Sequence, residues 1–174
     1  MNRRHGLTPI QWMDEIGILT DRSIIGHGIF LDHHPWLHWA TRRDLGLLAD
    51  NGATVAHCPT VFLRRGIALN TFGEYARRGV NLGIGTDTYP HNYLDELRTT
   101  LYTARAVAGS VADLTTGNVF DAATIGGARA IRRDDIGRLN VGARADIVLV
   151  DLKHPAMMPM REPLRSLIYV AGDR

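Results

Sequence analysis

Three side chains able to bind a metal or carry a proton, His27, His57 and Asp87, stand thirty residues apart, twice over. Imidazole titrates near neutral pH and ligates metals, and a carboxylate adds a second ligand type and a base. Each of the three closes a short apolar run: Ser23-Ile24-Ile25-Gly26 before His27, Ala53-Thr54-Val55-Ala56 before His57, and residues 80–86 before Asp87. Asp87 reads either as a metal ligand and general base or as a helix N-cap at a strand-to-helix junction. If side chains alternate up to Asp87, Gly83 and Gly85 share its face and leave room for a substrate or an ion. Val80, Leu82 and Ile84 then pack outward against helices. His27 is either an acid–base residue or a core histidine bonded to backbone. His57 is either a ligand or acid–base residue or part of the core. His91 and Asn92 follow Asp87 closely and are candidates for touching substrate. His34 and His38 have the spacing of a zinc-binding pair, but Pro35 breaks the register and no glutamate follows His34. We read that stretch as a loop lining the pocket mouth, and His5 and His154 as surface residues. Cys58, the single cysteine, excludes an intrachain disulfide and a Cys-x-x-Cys knuckle, and reads as a small buried residue.

The elements that must position these residues recur at the same pitch. Thr8-Pro9 opens a helix with Trp12 and Ile16 on one face. Thr41 reads as an N-cap with Asp44 three positions on, Leu45, Leu48 and Ala49 fall at helical spacing, and Asn51-Gly52 ends that helix. Leu69, Phe72 and Ala76 mark the next stripe, with Arg77-Arg78 at its C-terminus and Gly79 as its stop. A further helix carries Leu94, Leu97, Leu101, Ala104 and Ala108. Residues 115–131 read as a helix interrupted at Gly126-Gly127. A strand is expected over 146–151, and a last strand or short helix over 164–170. Strands alternating with helices argue for βαβ units and a parallel sheet, whose chemistry collects at the carboxyl ends of its strands.

At 174 residues, with 45% apolar and 22% charged content, the chain has material for one cored domain. It is shorter than a complete eight-fold barrel of about 250 residues. No apolar run approaches the roughly 18 residues of a membrane span, and the basic start does not lead into a signal-peptide core, so cytoplasm is the expected compartment and no membrane partner is expected. A net charge of +2 comes with scattered arginine pairs and no interleaved aromatic set, so no nucleic-acid partner is expected either.

With these residues in hand, the chain resembles the amidohydrolase superfamily, in its deaminase and s-triazine chlorohydrolase branch, which includes relatives of cytosine deaminase. Gly26-His27-Gly28 with Leu31-Asp32 carries the resemblance, as do Val55-Ala56-His57-Cys58-Pro59-Thr60 and Gly83-Ile84-Gly85-Thr86-Asp87 with Asn92. A fourth segment runs from Ile136-Gly137-Arg138-Leu139 to Gly142-Ala143-Arg144-Ala145-Asp146-Ile147-Val148, and looks like the family's exit from its barrel into a small β-sandwich. The resemblance implies an α/β fold: strands six to eight of a TIM-like (β/α)8 barrel over residues 1–134, then the start of a β-sandwich over 135–174. It implies that Asp87 binds the divalent metal and accepts a proton from its water, and that His27 hydrogen-bonds that water or the substrate. His57 would lie at the seventh strand's end, where it would brace the ligands or line the substrate pocket.

The implied activity is metal-dependent hydrolysis of a non-peptide carbon–nitrogen bond, deaminating or dechlorinating a small nitrogen heterocycle. One divalent ion is expected, zinc first, with iron and manganese as alternatives. The family's first-strand His-x-His pair and its fifth-strand histidine with an acidic proton shuttle do not occur here, and the chain stops at Asp173-Arg174 before the final sandwich strands. The expectation is therefore a fragment, inactive by itself. An alternative is a non-catalytic half-barrel that self-associates as a homo-oligomer through exposed sheet edges. A doubly wound nucleotide-binding module is a third reading, but no phosphate-binding glycine loop supports it.

Overall fold

Ile24–Gly26 (β1), Thr54–His57 (β2) and Asn81–Ile84 (β3) form a parallel sheet in the order β1-β2-β3. In the computed structural model, which describes residues 2–69, 72–89 and 91–171, these are the only strands among the described residues. In chain order the helices are α1 (Asn2–His5), α2 (Pro9–Glu15), α3 (Asp44–Asp50), α4 (Pro59–Leu63), α5 (Phe72–Arg78), α6 (Tyr93–Ala108), α7 (Thr116–Asp121), α8 (Gly127–Ala130) and α9 (Pro163–Val170). Asp173 and Arg174 lie outside the described residues.

Local chemistry explains most boundaries. The Thr8 hydroxyl accepts from the Gln11 N–H at 3.1 Å and Pro9 opens α2, as the sequence predicts. Asn92 caps α6 by accepting from the Asp95 N–H at 3.2 Å. Thr115 and Asn118 form a reciprocal capping box at α7. The expected cap of α3 is different. Thr41 does not cap the helix but donates to Asp32 Oδ2 at 2.6 Å. Asp32 does the capping instead, accepting from the Arg43 N–H at 2.7 Å and the Asp44 N–H at 3.2 Å. A carboxylate arriving from a preceding loop leaves no mark at the spacing a local capping box requires.

The register places Ile25, Val55 and Leu82 side by side, and Gly26, Ala56 and Gly83 on the opposite face. Val55, Leu82 and Val80 are buried with Leu45, Leu48, Phe72, Tyr75 and Leu101, and Ile84 packs against them, so this face is the core, as expected. The opposite face differs from expectation. A Cβ on Gly83 would lie 3.9 Å from the Gly127 Cα, and one on Gly85 would lie 3.3 Å from Cys58 Sγ. The two glycine positions therefore face Gly127 and Cys58 rather than open space. A π-helical turn, Ala122–Gly126, brings this segment against β3.

Gly126 approaches β3 so closely that an added Cβ would sit 2.0 Å from the Leu82 carbonyl oxygen, a backbone atom that cannot swing aside. Gly126→Ala should cost about 1–3 kcal/mol, the cost of overpacking a filled site. A thermal midpoint equal to that of the parent would contradict this packing.

Residues 146–151 carry no strand. Val148 and Leu149 are 87% and 90% exposed. A strand exists only with a ladder partner, and none lies beside this run among the described residues. The 164–170 segment resolves as helix α9, capped by the Glu162 carboxylate. Among the described residues no helix is long and apolar enough to cross a membrane.

Candidate active site

The ends of β1 and β3 converge across the end of β2. His27 Nε2 lies 3.8 Å from Asp87 Oδ2, with the two side chains 25% and 43% exposed. Both residues sit just past their strands in left-handed backbone, φ +63° and +57°. A non-glycine residue there costs roughly 1–2 kcal/mol, and such strain gathers where surroundings hold a side chain in a required direction. The left-handed turn also breaks the period-two alternation before Asp87, so parity with Gly83 and Gly85 does not set its direction.

The Phe62 ring from α4 meets His27 edge-on at 4.8 Å between centroids. Beyond Asp87, the Thr86 hydroxyl lies 3.1 Å from His91 Nδ1. His91 is therefore exposed at the same rim, while the Asn92 side chain is engaged as the cap of α6. Glu96, which sequence reasoning passed over, is 3% exposed and accepts from the Thr60 N–H at 3.0 Å, tying α6 to the start of α4. The signal available in the sequence was an acidic residue beside the apolar stripe of Leu97 and Leu101.

His57 is 1% exposed, on the core face, with its ring 4.8 Å from that of Phe72 and its Nδ1 without a hydrogen-bond partner. Burial, then the nearby His27 and His34 imidazoles, push its pKa from 6.5 down to about 3. It is thus a neutral ring at physiological pH, behind the strand ends rather than between His27 and Asp87. The unfolded chain takes up this proton near pH 6.5 and the folded chain only near 3. Its contribution to stability is therefore complete above about pH 6.5 and is lost as the pH falls towards 3. Between pH 7 and pH 4 the parent should lose about 3 kcal/mol that His57→Gln does not lose. Urea unfolding at the two pH values measures this, and parallel losses in both proteins would contradict it.

Cys58 is buried, and burial followed by the Asp87 and Glu96 charges pushes its thiol up to about 11. At neutral pH it is a thiol, not a nucleophile. His34 corrects another expectation. The Pro35–Leu37 turn is a loop, as predicted, yet His34 is 0% exposed and its Nε2 lies 3.1 Å from the Gly28 carbonyl oxygen. It does not line a pocket mouth.

Asp87 and His27 supply donor types that suit a divalent ion. Catalytic zinc takes three protein ligands, however, and among the described residues no group of three or more His, Cys, Asp or Glu side chains stands together. These residues fit as part of a metal site and do not complete one.

This strand-end arrangement on a parallel α/β sheet is the setting of the amidohydrolases, and the amidohydrolase family matches residues 2–174. The chain belongs to that family. A 5-methylthioadenosine/S-adenosylhomocysteine deaminase of Nitratidesulfovibrio vulgaris is 33% identical over 173 residues, covering 97% of this chain and 37% of that protein. The crystal structure of an adenosine deaminase from Xanthomonas campestris with bound zinc superposes with a TM-score of 0.87 at 35% identity, over 98% of this chain and 38% of that one. An atrazine chlorohydrolase variant from Arthrobacter aurescens, complexed with zinc and atraton, gives a TM-score of 0.84 at 25% identity, over 98% and 37%. The chain therefore spans less than two fifths of the length of each of these proteins.

Proposed function

We propose that this chain supplies the sixth to eighth strands, and the acid–base edge, of a metal-dependent hydrolase that removes an amino group from a small nitrogen heterocycle. The observation that carries this is the approach of His27 to Asp87 from the ends of β1 and β3, across the intervening β2, both held in left-handed backbone. In this reading Asp87 is a metal ligand and general base. A divalent ion, zinc first, held in part by Asp87, would supply water with its pKa lowered towards about 7. The Asp87 carboxylate takes a proton from the attacking water as its oxygen adds to the amino-bearing ring carbon. His27 hydrogen-bonds the same water or the heterocycle and orients it. Asp87 then passes that proton to the amino nitrogen, the carbon–nitrogen bond breaks, and ammonia leaves. Dechlorination is the same addition with chloride as leaving group, and deamination takes precedence because the Nitratidesulfovibrio vulgaris relative and the Xanthomonas campestris neighbour are deaminases. His91 stands at the substrate rim, and His57 is a neutral support beneath it.

The remaining metal ligands come from outside the residues described, so the chain by itself does not turn over. In this reading residues 135–174 begin a β-sandwich, and the compartment is the cytoplasm. The test is a fusion of this chain behind the upstream portion of the Nitratidesulfovibrio vulgaris deaminase. Ammonia release from an aminopurine nucleoside by the fusion, and none by the chain alone, supports the reading. A folded, zinc-loaded fusion inert towards every aminated heterocycle overturns it.

A second reading has its own observation. Ile24 and Phe30 are 48% and 56% exposed at the β1 side, and the unpaired 146–151 run exposes a contiguous apolar stretch. In that reading the half-barrel self-associates through its edges. Light scattering showing a monomer at micromolar concentration would count against it.

A further inference from the structure

The Gly28 carbonyl oxygen is held from two sides. His34 Nε2 lies 3.1 Å from it and the Tyr75 hydroxyl donates to it at 3.3 Å. Gly28, His34 and Tyr75 are all buried, with His34 and Tyr75 each 0% exposed. Tyr75 comes from α5 and His34 from the loop after β1, so neither bond belongs to secondary structure.

His27 and Gly28 are consecutive left-handed residues, each with φ +63°. The His27 N–H bonds the Ala56 carbonyl at 2.8 Å, and the Gly28 N–H bonds the Gly26 carbonyl at 2.7 Å, which fixes the entry to the turn. The exit is held at the Gly28 carbonyl. Its neighbours leave no slack, since a Cβ on Gly28 would sit 2.3 Å from the Tyr75 hydroxyl oxygen. Left to itself, His27 would return to negative φ and its ring would swing away from Asp87.

We propose that Tyr75 and His34 are positioning residues, which clamp the Gly28 carbonyl and so hold the left-handed turn that aims His27 at Asp87. This rests on the reading of His27 as a working residue of the site, although the clamp itself stands on geometry. Both residues act through His27.

Tyr75→Phe removes one oxygen and leaves the buried ring in place, so the fold is kept. The readout is the His27 ring signal in carbon-resolved aromatic NMR of the 174-residue chain. The Phe62 edge contact gives that ring a distinctive shift and a cross-relaxation peak, and His5, tilted against Trp12, is the control. Tyr75→Phe and His34→Leu should each collapse the His27 shift and lose the Phe62 peak, while His34→Gln, which keeps a donor, restores both. In the completed fusion the same variants should lower kcat by about tenfold to a hundredfold with KM little changed. An unmoved His27 ring in both Tyr75→Phe and His34→Leu overturns the proposal. A moved ring with undiminished kcat supports the clamp and removes His27 from the catalytic account.

Discussion

Asp87→Asn in a completed barrel should lower turnover about a thousandfold or more, with the protein still folded. Asparagine is the informative substitution here. It keeps the shape of the side chain and tolerates the left-handed backbone that Asp87 adopts at φ +57°. Alanine would add backbone strain and confuse a folding defect with a chemical one. What asparagine loses is the charge and the basicity. Removing a positioned base costs about 10²–10⁴-fold, and weakening a metal ligand adds to that. Steady-state ammonia release, with circular dichroism to confirm folding, measures the effect. A loss smaller than about tenfold would mean that Asp87 is a strand-end residue without a part in the reaction.

The largest stability effect is expected at Asp32. This side chain is 0% exposed, and its carboxylate accepts from the Thr41 hydroxyl, the Gln11 amide and the Arg43 and Asp44 N–H groups. His33 Nδ1 lies 2.7 Å from its Oδ1. Asp44, equally buried, returns the favour by accepting from the Asp32 N–H at 2.9 Å, and from Thr8 and Gln11 at 2.8 Å each. Burial alone would raise the Asp32 pKa, but the Thr41, Arg43 and Asp44 hydrogen bonds and the neighbouring His33 outweigh it and hold the carboxyl below its ordinary value. Asp44 goes the other way, raised by burial and by the Asp32 charge against its own hydrogen bonds.

Deleting Asp32 takes the acceptor from the Thr41 hydroxyl and from the Arg43 and Asp44 N–H groups that start α3, while the Gln11 amide keeps Asp44 Oδ1. Asp32→Ala should cost about 3–5 kcal/mol, a large share of a typical domain's stability. The cost is fully expressed at pH 7, because a group whose folded pKa is lowered contributes above its unfolded value and loses that contribution as the pH falls through the folded one. Asp44 has the opposite dependence, so measurement at neutral pH keeps the two apart. Urea unfolding is the assay, and a loss below about 1 kcal/mol would show that the network is not what fixes the loop between β1 and α3.

The contrast between Thr41 and Asp32 marks the limit of reading the chain locally. Strands β1, β2 and β3, the start of α2 and the stops of α3 and α5 were legible, because apolar periodicity, caps and stopping glycines act over a few residues. The sequence separation of His27, His57 and Asp87 likewise reflected three real strand ends. What those ends do with their side chains was not legible. The left-handed turns at His27 and Asp87, the burial of His57 on the core face and the use of His34 and Tyr75 at one carbonyl depend on contacts between distant segments. The same holds for the Gly83 face, filled by Gly127 from more than forty residues further on. The 146–151 run has a strand's composition but needs a partner to become one.

Metal content tests the central claim most directly: that Asp87 is one ligand of a site this chain shares with the rest of a barrel. Purified without chelator and measured by plasma mass spectrometry, the chain alone should carry far less than one divalent ion. The fusion that completes the barrel should carry close to one, predominantly zinc, and lose most of it in the Asp87→Asn form. Full metal occupancy retained in that Asp87→Asn fusion would contradict the account.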